Sequence, residues 1–199
     1  MKWLSAVPVT AALLLGAGEV IGGPNPNATL VLHAIRGSGT CTIADPCLPS
    51  PGHPSIEITE PGERHQVYVL VRNFTDVAGI EFSLRWPDDW EYLGYRNCQS
   101  GCTDCGMFFP PLWSCCFNCV TAATMAVVLR VDIVPASGCM EIVEDDWGGP
   151  IVGSCSGKTD IIRPEHRGRV CAGPGGINSC DPLTPVAATT WGRLKGTYQ

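Results

Sequence analysis

The sequence predicts an all-β protein built as an antiparallel β-sandwich. Residues 65–95 contain two consecutive runs in which apolar and polar side chains alternate with a period of two. This alternation is typical of strands with one buried face. The rest of the chain shows short alternating runs between turn signals and no sustained helical period. Because an apolar sheet face must be covered by a second layer, a sandwich is the expected architecture.

The alternation is clearest in residues 67–72 and 80–86. In the second run four large apolar side chains point to one side, and a carboxylate, a hydroxyl and a guanidinium point to the other. A short loop, residues 73–78, separates the runs. We therefore predict that they are neighbouring strands of one antiparallel sheet.

Further short strands are predicted on both sides of this pair. In the longest run, which resumes at Thr121, five apolar residues from Met125 to Ile133 (Met125, Val127, Leu129, Val131 and Ile133) share one face, and this indicates a central strand. The other predicted strands are Ala28–Ile35, Ser55–Thr59, Trp90–Tyr95, Glu141–Val143, Asp160–Ile162 and Arg167–Cys171.

The first 18 residues are predicted to be a secretory signal peptide. Lys2 precedes an almost wholly apolar run, residues 4–15, and the following Gly16-Ala17-Gly18 is suited to a signal peptidase. Neither this run nor a later one is long enough to cross a bilayer, so no membrane span is predicted. Removal of residues 1–18 takes away Lys2 and no acid, which changes the formal net charge from -6 to -7.

The remaining chain divides into three parts. We predict a sandwich domain over residues 19–171 with a disulfide-rich loop insertion at 98–119, a Gly- and Pro-rich linker at 172–184, and a C-terminal tail at 185–199. The acidic balance, with dispersed arginines, lacks the basic patch of a nucleic-acid-binding protein, so no nucleic-acid partner is predicted.

Twelve cysteines follow the predicted signal peptide, an even number in an exported chain, and this indicates a disulfide framework. Local spacing predicts the bonds Cys41–Cys47, Cys139–Cys155 and Cys171–Cys180. Three more bonds are expected among the remaining six: Cys98, Cys102, Cys105, Cys115, Cys116 and Cys119. Six cysteines can pair in about 15 ways, so the connectivity of that group stays open.

The pattern from Val67 to Val170 resembles the cohesin-like β-sandwich modules of secreted bacterial proteins, with jelly-roll-like character. The resemblance rests on VYVLVRN, GIEFSLRWP, AVVLRVDIV, the EDDWGG turn and RGRV. It implies the architecture of those modules and not their dockerin binding, because such modules are usually poor in cysteine. The ending, with its Thr-Trp-Gly-x-Leu-Lys motif, is similar to short C-terminal tails of secreted Gram-negative proteins.

Two groups of residues have the chemistry of metal ligands, and each group also has a simpler interpretation. Cys102, Cys105, Cys116 and Cys119 have the spacing of a zinc ribbon, but an oxidising compartment favours cystines, so we expect no zinc. Glu144, Asp145 and Asp146 could supply oxygens to calcium, although solvated turn acids are the simpler interpretation. We predict no cofactor and no catalytic residues.

Aromatic residues in the disulfide-rich segment are the candidate binding site: Phe108, Phe109, Trp113 and Phe117. Local disulfides would hold these rings rigid at one end of the sandwich, which suits sugar stacking or a protein hot spot. The alternative is that the rings fold back as a small core. For Trp90 and Trp147 we expect burial.

The sequence thus predicts a non-catalytic binding or adhesion module, secreted or held at the cell surface, that recognises a protein or a glycan. One alternative is a structural subunit of a surface layer or filament that self-assembles through its tail. A second alternative is a secreted enzyme of glycan or redox chemistry.

Overall fold

Two antiparallel sheets form the protein. The computed structural model describes residues 22–37, 39–43, 58, 61–99, 106–108, 112–121, 125–144 and 149–173, and it describes only the backbone of residues 106–108 and 117. A 3₁₀ turn spans Pro164–His166. The strands are β1 (Thr29–Arg36), β2 (His65–Arg72), β3 (Asp76–Arg85), β4 (Glu91–Asn97), β5 (Gly106–Phe108), β6 (Leu112–Thr121), β7 (Met125–Val134), β8 (Gly138–Val143), β9 (Ile151–Gly153), β10 (Thr159–Ile161) and β11 (Arg169–Ala172).

Sheet A has the strand order β1-β2-β7-β4. Sheet B has the order β10-β9-β3-β6-β5, while β8 also pairs with β3 and β11 pairs with β8. The predicted all-β antiparallel sandwich is confirmed. Two strands of sheet B, β5 and β6, come from the cysteine-rich range 98–119, where the sequence alternation had not indicated a strand.

The two alternating runs are not neighbours in one sheet, so that prediction is wrong. The first run is β2 of sheet A and the second is β3 of sheet B. The apolar faces of both strands belong to the same core cluster, which includes Val67, Val69, Ile80 and Phe82. The two strands therefore face each other across the sandwich, and each covers the apolar face of the other sheet.

A buried asparagine explains why the chain changes sheets between β2 and β3. The Asn25 side chain accepts a hydrogen bond from the Thr75 backbone N–H (2.8 Å) and donates one to the Asp76 carbonyl (2.7 Å). Its own backbone N–H donates to Asp160 Oδ2 (2.8 Å). Asn73, which precedes this link, has a φ of 55°. These bonds connect the start of β3 through Asn25 to Asp160 in β10 of sheet B.

The interior between the sheets is filled by large apolar side chains. Trp90 is 4% exposed, as predicted, and its indole N–H donates to the Ser137 carbonyl (2.6 Å). Trp147 lies outside the described residues. The largest buried side chains of this core are Trp113, Phe82, Leu30, Leu32, Ile58, Leu84, Leu129, Ile133, Met140 and Ile162.

The apolar residues of β7 do not share one face as predicted, because a β-bulge divides them. Val69 pairs with Leu129, whereas the next residue, Leu70, pairs with Val127, so Val128 is an extra residue on β7. β7 does lie between β2 and β4, as the prediction of a central strand required. Leu129, Val131 and Ile133 line the core, and Met125 and Val127 pack on the outer face of sheet A.

The outer face of sheet A is covered by residues 39–43. The Tyr68 hydroxyl lies 2.9 Å from the Thr40 carbonyl oxygen and 3.0 Å from Gln66 Oε1. Arg130 donates to the Gly39 carbonyl and pairs with Asp132 (3.1 Å). Because this face is also covered, β2 is buried on both sides.

The disulfides join segments that are distant in sequence. All eight cysteines in the described ranges are disulfide-bonded. The predicted partition is wrong, because local spacing says nothing about which strands the fold brings together. The resolved pairs are Cys41–Cys98, Cys119–Cys155 and Cys139–Cys171 instead of Cys41–Cys47, Cys139–Cys155 and Cys171–Cys180.

Other predictions concern the ends and the short strands. Of Ser55–Thr59 only Ile58 is described, in an isolated parallel bridge to Ala172. The predicted strands near residues 28–35, 90–95, 141–143, 160–162 and 167–171 correspond to β1, β4, β8, β10 and β11. The predicted signal peptide, most of the linker and the tail lie outside the described residues.

The disulfide pairing can be checked by mass spectrometry of unreduced peptides. We expect cross-linked peptides that contain Cys41–Cys98, Cys119–Cys155 and Cys139–Cys171. Recovery of a Cys41–Cys47 or Cys171–Cys180 peptide from fully oxidised protein would contradict this pairing.

Gly168 is predicted to tolerate no side chain. A Cβ there would lie 2.7 Å from the Leu32 backbone nitrogen and 3.0 Å from the Leu30 carbonyl oxygen, so β1 would have to move. We expect Gly168→Ala to lower the free energy of unfolding by about 1–3 kcal/mol in urea denaturation. In the control, Gly153→Ala, the nearest atom would be 3.6 Å away, so equal destabilisation by both variants would contradict the prediction.

Tyr68 is expected to make the stability sensitive to alkaline pH. Burial raises the pKa of its phenol above the ordinary value, although the nearby Arg130 acts in the opposite direction. The folded state therefore retains the proton more strongly than the unfolded state, and stability falls as the pH rises above about 10.

The Tyr68→Phe variant separates this effect from other titrations. It should lose about 1 kcal/mol at neutral pH, because a buried hydrogen bond is removed. Its free energy of unfolding should then fall less steeply than that of the wild type above about pH 10. Urea unfolding over this pH range provides the measurement, and equal slopes would contradict the assignment.

Candidate functional site: an aromatic edge

The predicted binding residues do not form one exposed group. Trp113 is fully buried in β6 opposite Phe82, so its prediction as a ligand-contacting ring is wrong. The alternation of β6 directs the Trp113 side chain into the core, which agrees with the alternative that the aromatic rings fold back. Phe108 lies in β5 opposite Leu112. Phe109 and the side chain of Phe117 lie outside the described part, so their role stays a prediction.

Exposed aromatic residues lie instead on β4. Tyr92 is 37% exposed, Tyr95 is 41% exposed and Leu93 between them is 42% exposed. β4 is the terminal strand of sheet A, and among the described residues it pairs only with β7. A large apolar surface is thus combined with the edge of a sheet.

A second β-bulge places the two tyrosines on the same face. Tyr92 pairs with Ile133 and Tyr95 with Val131, although the tyrosines are three residues apart. In a regular strand such residues would point to opposite faces. The extra residue at the bulge changes the alternation, and Gly94 permits it with a φ of 137°, which other residues rarely adopt.

Each tyrosine ring rests on a tryptophan. Tyr92 stacks on Trp86, with ring centroids 5.9 Å apart and an interplanar angle of 19°. Tyr95 meets Trp113 edge-on, with centroids 4.8 Å apart and an angle of 78°. These are preferred aromatic geometries. Trp113 therefore holds the ring of Tyr95, a candidate binding residue, although Trp113 is buried and cannot contact a ligand itself.

The Tyr92 hydroxyl keeps its proton at neutral pH. Burial raises the pKa of its phenol, and the neighbouring Tyr95 and Asp132 act in the same direction. The surface therefore presents a neutral ring with an O–H group that can donate a hydrogen bond.

The end of β4 is fastened by a disulfide. The Cys98 backbone N–H donates to the Val128 carbonyl (3.1 Å), and its side chain is bonded to Cys41. Cys41 belongs to residues 39–43, which Arg130 and Tyr68 hold on the outer face of sheet A. The aromatic edge, which consists of Tyr92, Leu93 and Tyr95 on β4, is consequently anchored at the C-terminal end of that strand.

The structure describes two of the four cysteines that have the spacing of a zinc ribbon. Cys116 and Cys119 are in disulfides, Cys119 with Cys155, so they do not offer thiolates to zinc in this structure. Cys102 and Cys105 lie outside the described residues. Within the described ranges, no three His, Cys, Asp or Glu side chains are grouped for a metal.

The calcium prediction involves the turn after β8. Glu144 Oε1 pairs with Arg167 Nη2 (2.9 Å), while Asp145 and Asp146 lie outside the described residues. One of the three predicted carboxylates is therefore already engaged by a guanidinium.

Tyr92 and Tyr95 are candidate binding residues that the sequence pattern does not indicate. They were assigned to an ordinary strand, in which a spacing of three puts side chains on opposite faces. The available signal was Gly94 inside a strand pattern, since an isolated glycine there often marks a bulge.

Comparisons with known proteins include a similarity to a solved structure. No known family and no curated protein matches the sequence. Among solved structures, the chain is similar to a cohesin module from the family 33 glycoside hydrolase of Clostridium perfringens ATCC13124, at 10% identity over 73% of this chain and 97% of that chain, with a TM-score of 0.43. The described residues include no helix long and apolar enough to cross a membrane. The likeness is weak.

Proposed function

We propose that this protein is a non-catalytic, exported binding module that recognises a protein partner through β4. The observation that supports it best is the pair of exposed tyrosines on one face of an edge strand, each resting on a tryptophan. Export is supported by the disulfides, which are typical of oxidising compartments.

Pre-ordered rings favour binding. An exposed side chain that must be immobilised on association costs conformational entropy, and the contacts with Trp86 and Trp113 reduce that cost for Tyr92 and Tyr95. Tyrosine is also enriched at interfaces because it combines a large apolar ring with a hydrogen-bonding hydroxyl.

The edge position favours a protein over a glycan. The outer N–H and C=O groups of a terminal strand can pair with an added strand of another chain. The bulge at Leu93 interrupts the ladder, but Tyr95–Asn97 continue in regular register with β7. A partner strand could pair there while an apolar side chain covers Leu93, and a sugar would offer neither interaction.

The predicted aromatic loop would enlarge the same surface. β4 ends one sheet and β5 ends the other, and the contact between Tyr95 and Trp113 connects β4 with β6, the neighbour of β5. We propose that Phe108, Phe109 and Phe117 contribute to binding of the same partner.

The proposal is tested with the double variant Tyr92→Ala/Tyr95→Ala. Immobilised wild-type protein is used to isolate partners from the surface proteins of the producing cells, and the affinity of the purified partner is measured by biolayer interferometry. We expect the double variant to weaken binding at least about 100-fold, because central aromatic anchors carry most of an interface's energy. Its circular dichroism and melting temperature should confirm that the core is intact.

Two further variants complete the test. Ile161→Ala removes an even more exposed apolar side chain from β10, away from β4, and should leave the affinity unchanged. Gly94→Val disfavours the bulge and should weaken binding while both tyrosines remain. Unaltered affinity in the double variant, or binding only to a glycan array, would refute the protein-binding edge.

A further inference from the structure

The described residues that line a groove on sheet B carry a charge opposite to that of the whole protein. The groove is a cavity of about 450 Å³ between the end of β8 and the segment that runs from the 3₁₀ turn into β11. Three arginines line it, Arg85, Arg167 and Arg169, together with Glu141 and Glu144. These residues carry a formal charge of about +1, while the chain as a whole carries -6.

Two of the arginines are already paired. Arg85 contacts Glu141 (3.0 Å), and Arg167 contacts Glu144 (2.9 Å). Arg167 also donates from Nε to the Ile162 carbonyl (3.0 Å), and its side chain is only 9% exposed. The pairs neutralise both carboxylates and fix the Arg167 side of the groove.

Arg169 is the arginine of the groove that has no partner among the described residues. It lies opposite Glu141 in the β8–β11 register, but Glu141 is bonded to Arg85 on the other side. Among the residues that the structure describes, the Arg169 side chain has no hydrogen-bond or ion-pair partner, and its Nε is buried. Because Nε is closed to solvent, a ligand would have to bind the terminal nitrogens of this guanidinium.

We propose that this groove binds the carboxylate of a small acidic ligand, with Arg169 as the principal donor. A planar guanidinium binds a carboxylate through two parallel hydrogen bonds, and one unpaired guanidinium matches one negative charge. The volume is in the range of small-molecule sites, and Val143 and Pro164 offer apolar contact to the carbon skeleton.

The site is independent of the proposed protein-binding edge. It uses β8 and β11 of sheet B and shares no residue with β4 of sheet A. The ligand chemistry is a carboxylate on a compact skeleton, such as a uronic acid or an acidic amino-acid side chain. The two sources are distinguished by the probes below.

The test is an NMR titration of the oxidised full chain, with D-glucuronate and N-acetyl-glutamate amide as probes and D-glucose as the uncharged control. We expect saturable shifts at residues 141–144 and 164–169 with at least one acidic probe and none with glucose. The tighter acidic probe identifies the source of the carboxylate. Absence of saturation by both acidic probes up to about 10 mM would overturn the proposal, as would equal binding of glucose.

Variants assign the binding to Arg169. Arg169→Ala should weaken the affinity at least about tenfold, and Arg169→Lys should recover only part of it, because lysine cannot form the bidentate pair. Arg36→Ala removes the same charge from an exposed pair on β1 and should have no effect. Wild-type affinity in Arg169→Ala, with a native melting temperature, would overturn the assignment.

Discussion

The hydrogen bonds of Asn25 hold the link at which this chain passes from one sheet to the other. Its side chain holds the backbone of Thr75 and Asp76, and its own N–H reaches the carboxylate of Asp160. Asn25 is 2% exposed, so these bonds satisfy polar groups that water does not reach. Because β3 begins at this point in the second sheet, every later pairing of sheet B depends on the crossover.

Bulges determine which side chains the sheets present. In β7 the extra residue Val128 moves Met125 and Val127 to the outer face, where they pack beside Tyr68 under residues 39–43. In β4 the bulge at Leu93 brings Tyr92 and Tyr95 to one face. An insertion of one residue thus changes the exposed chemistry of a strand without changing its place in the sheet.

The sequence was sufficient for several of the strands and insufficient for their pairing. Alternation predicted β1, β2, β3, β4 and β7 because burial of one face imposes a period of two. It cannot distinguish a neighbour in the same sheet from a strand in the facing sheet, since both have an inward apolar face, so β2 and β3 were paired wrongly. For the same reason, cysteine spacing did not identify Cys119–Cys155 or Cys139–Cys171. The shared face of Tyr92 and Tyr95 was not predicted because it depends on a bulge that shifts the alternation of β4.

The two proposed sites differ in how the fold prepares them. At β4 the preparation is steric, because Trp86 and Trp113 hold the tyrosine rings before a partner arrives. In the groove it is electrostatic, because Glu141 and Glu144 are occupied by Arg85 and Arg167, and the described part of the chain offers Arg169 no acceptor. Salt should therefore weaken the groove's interaction far more than that of the aromatic edge, since screening acts on charge and not on apolar contact.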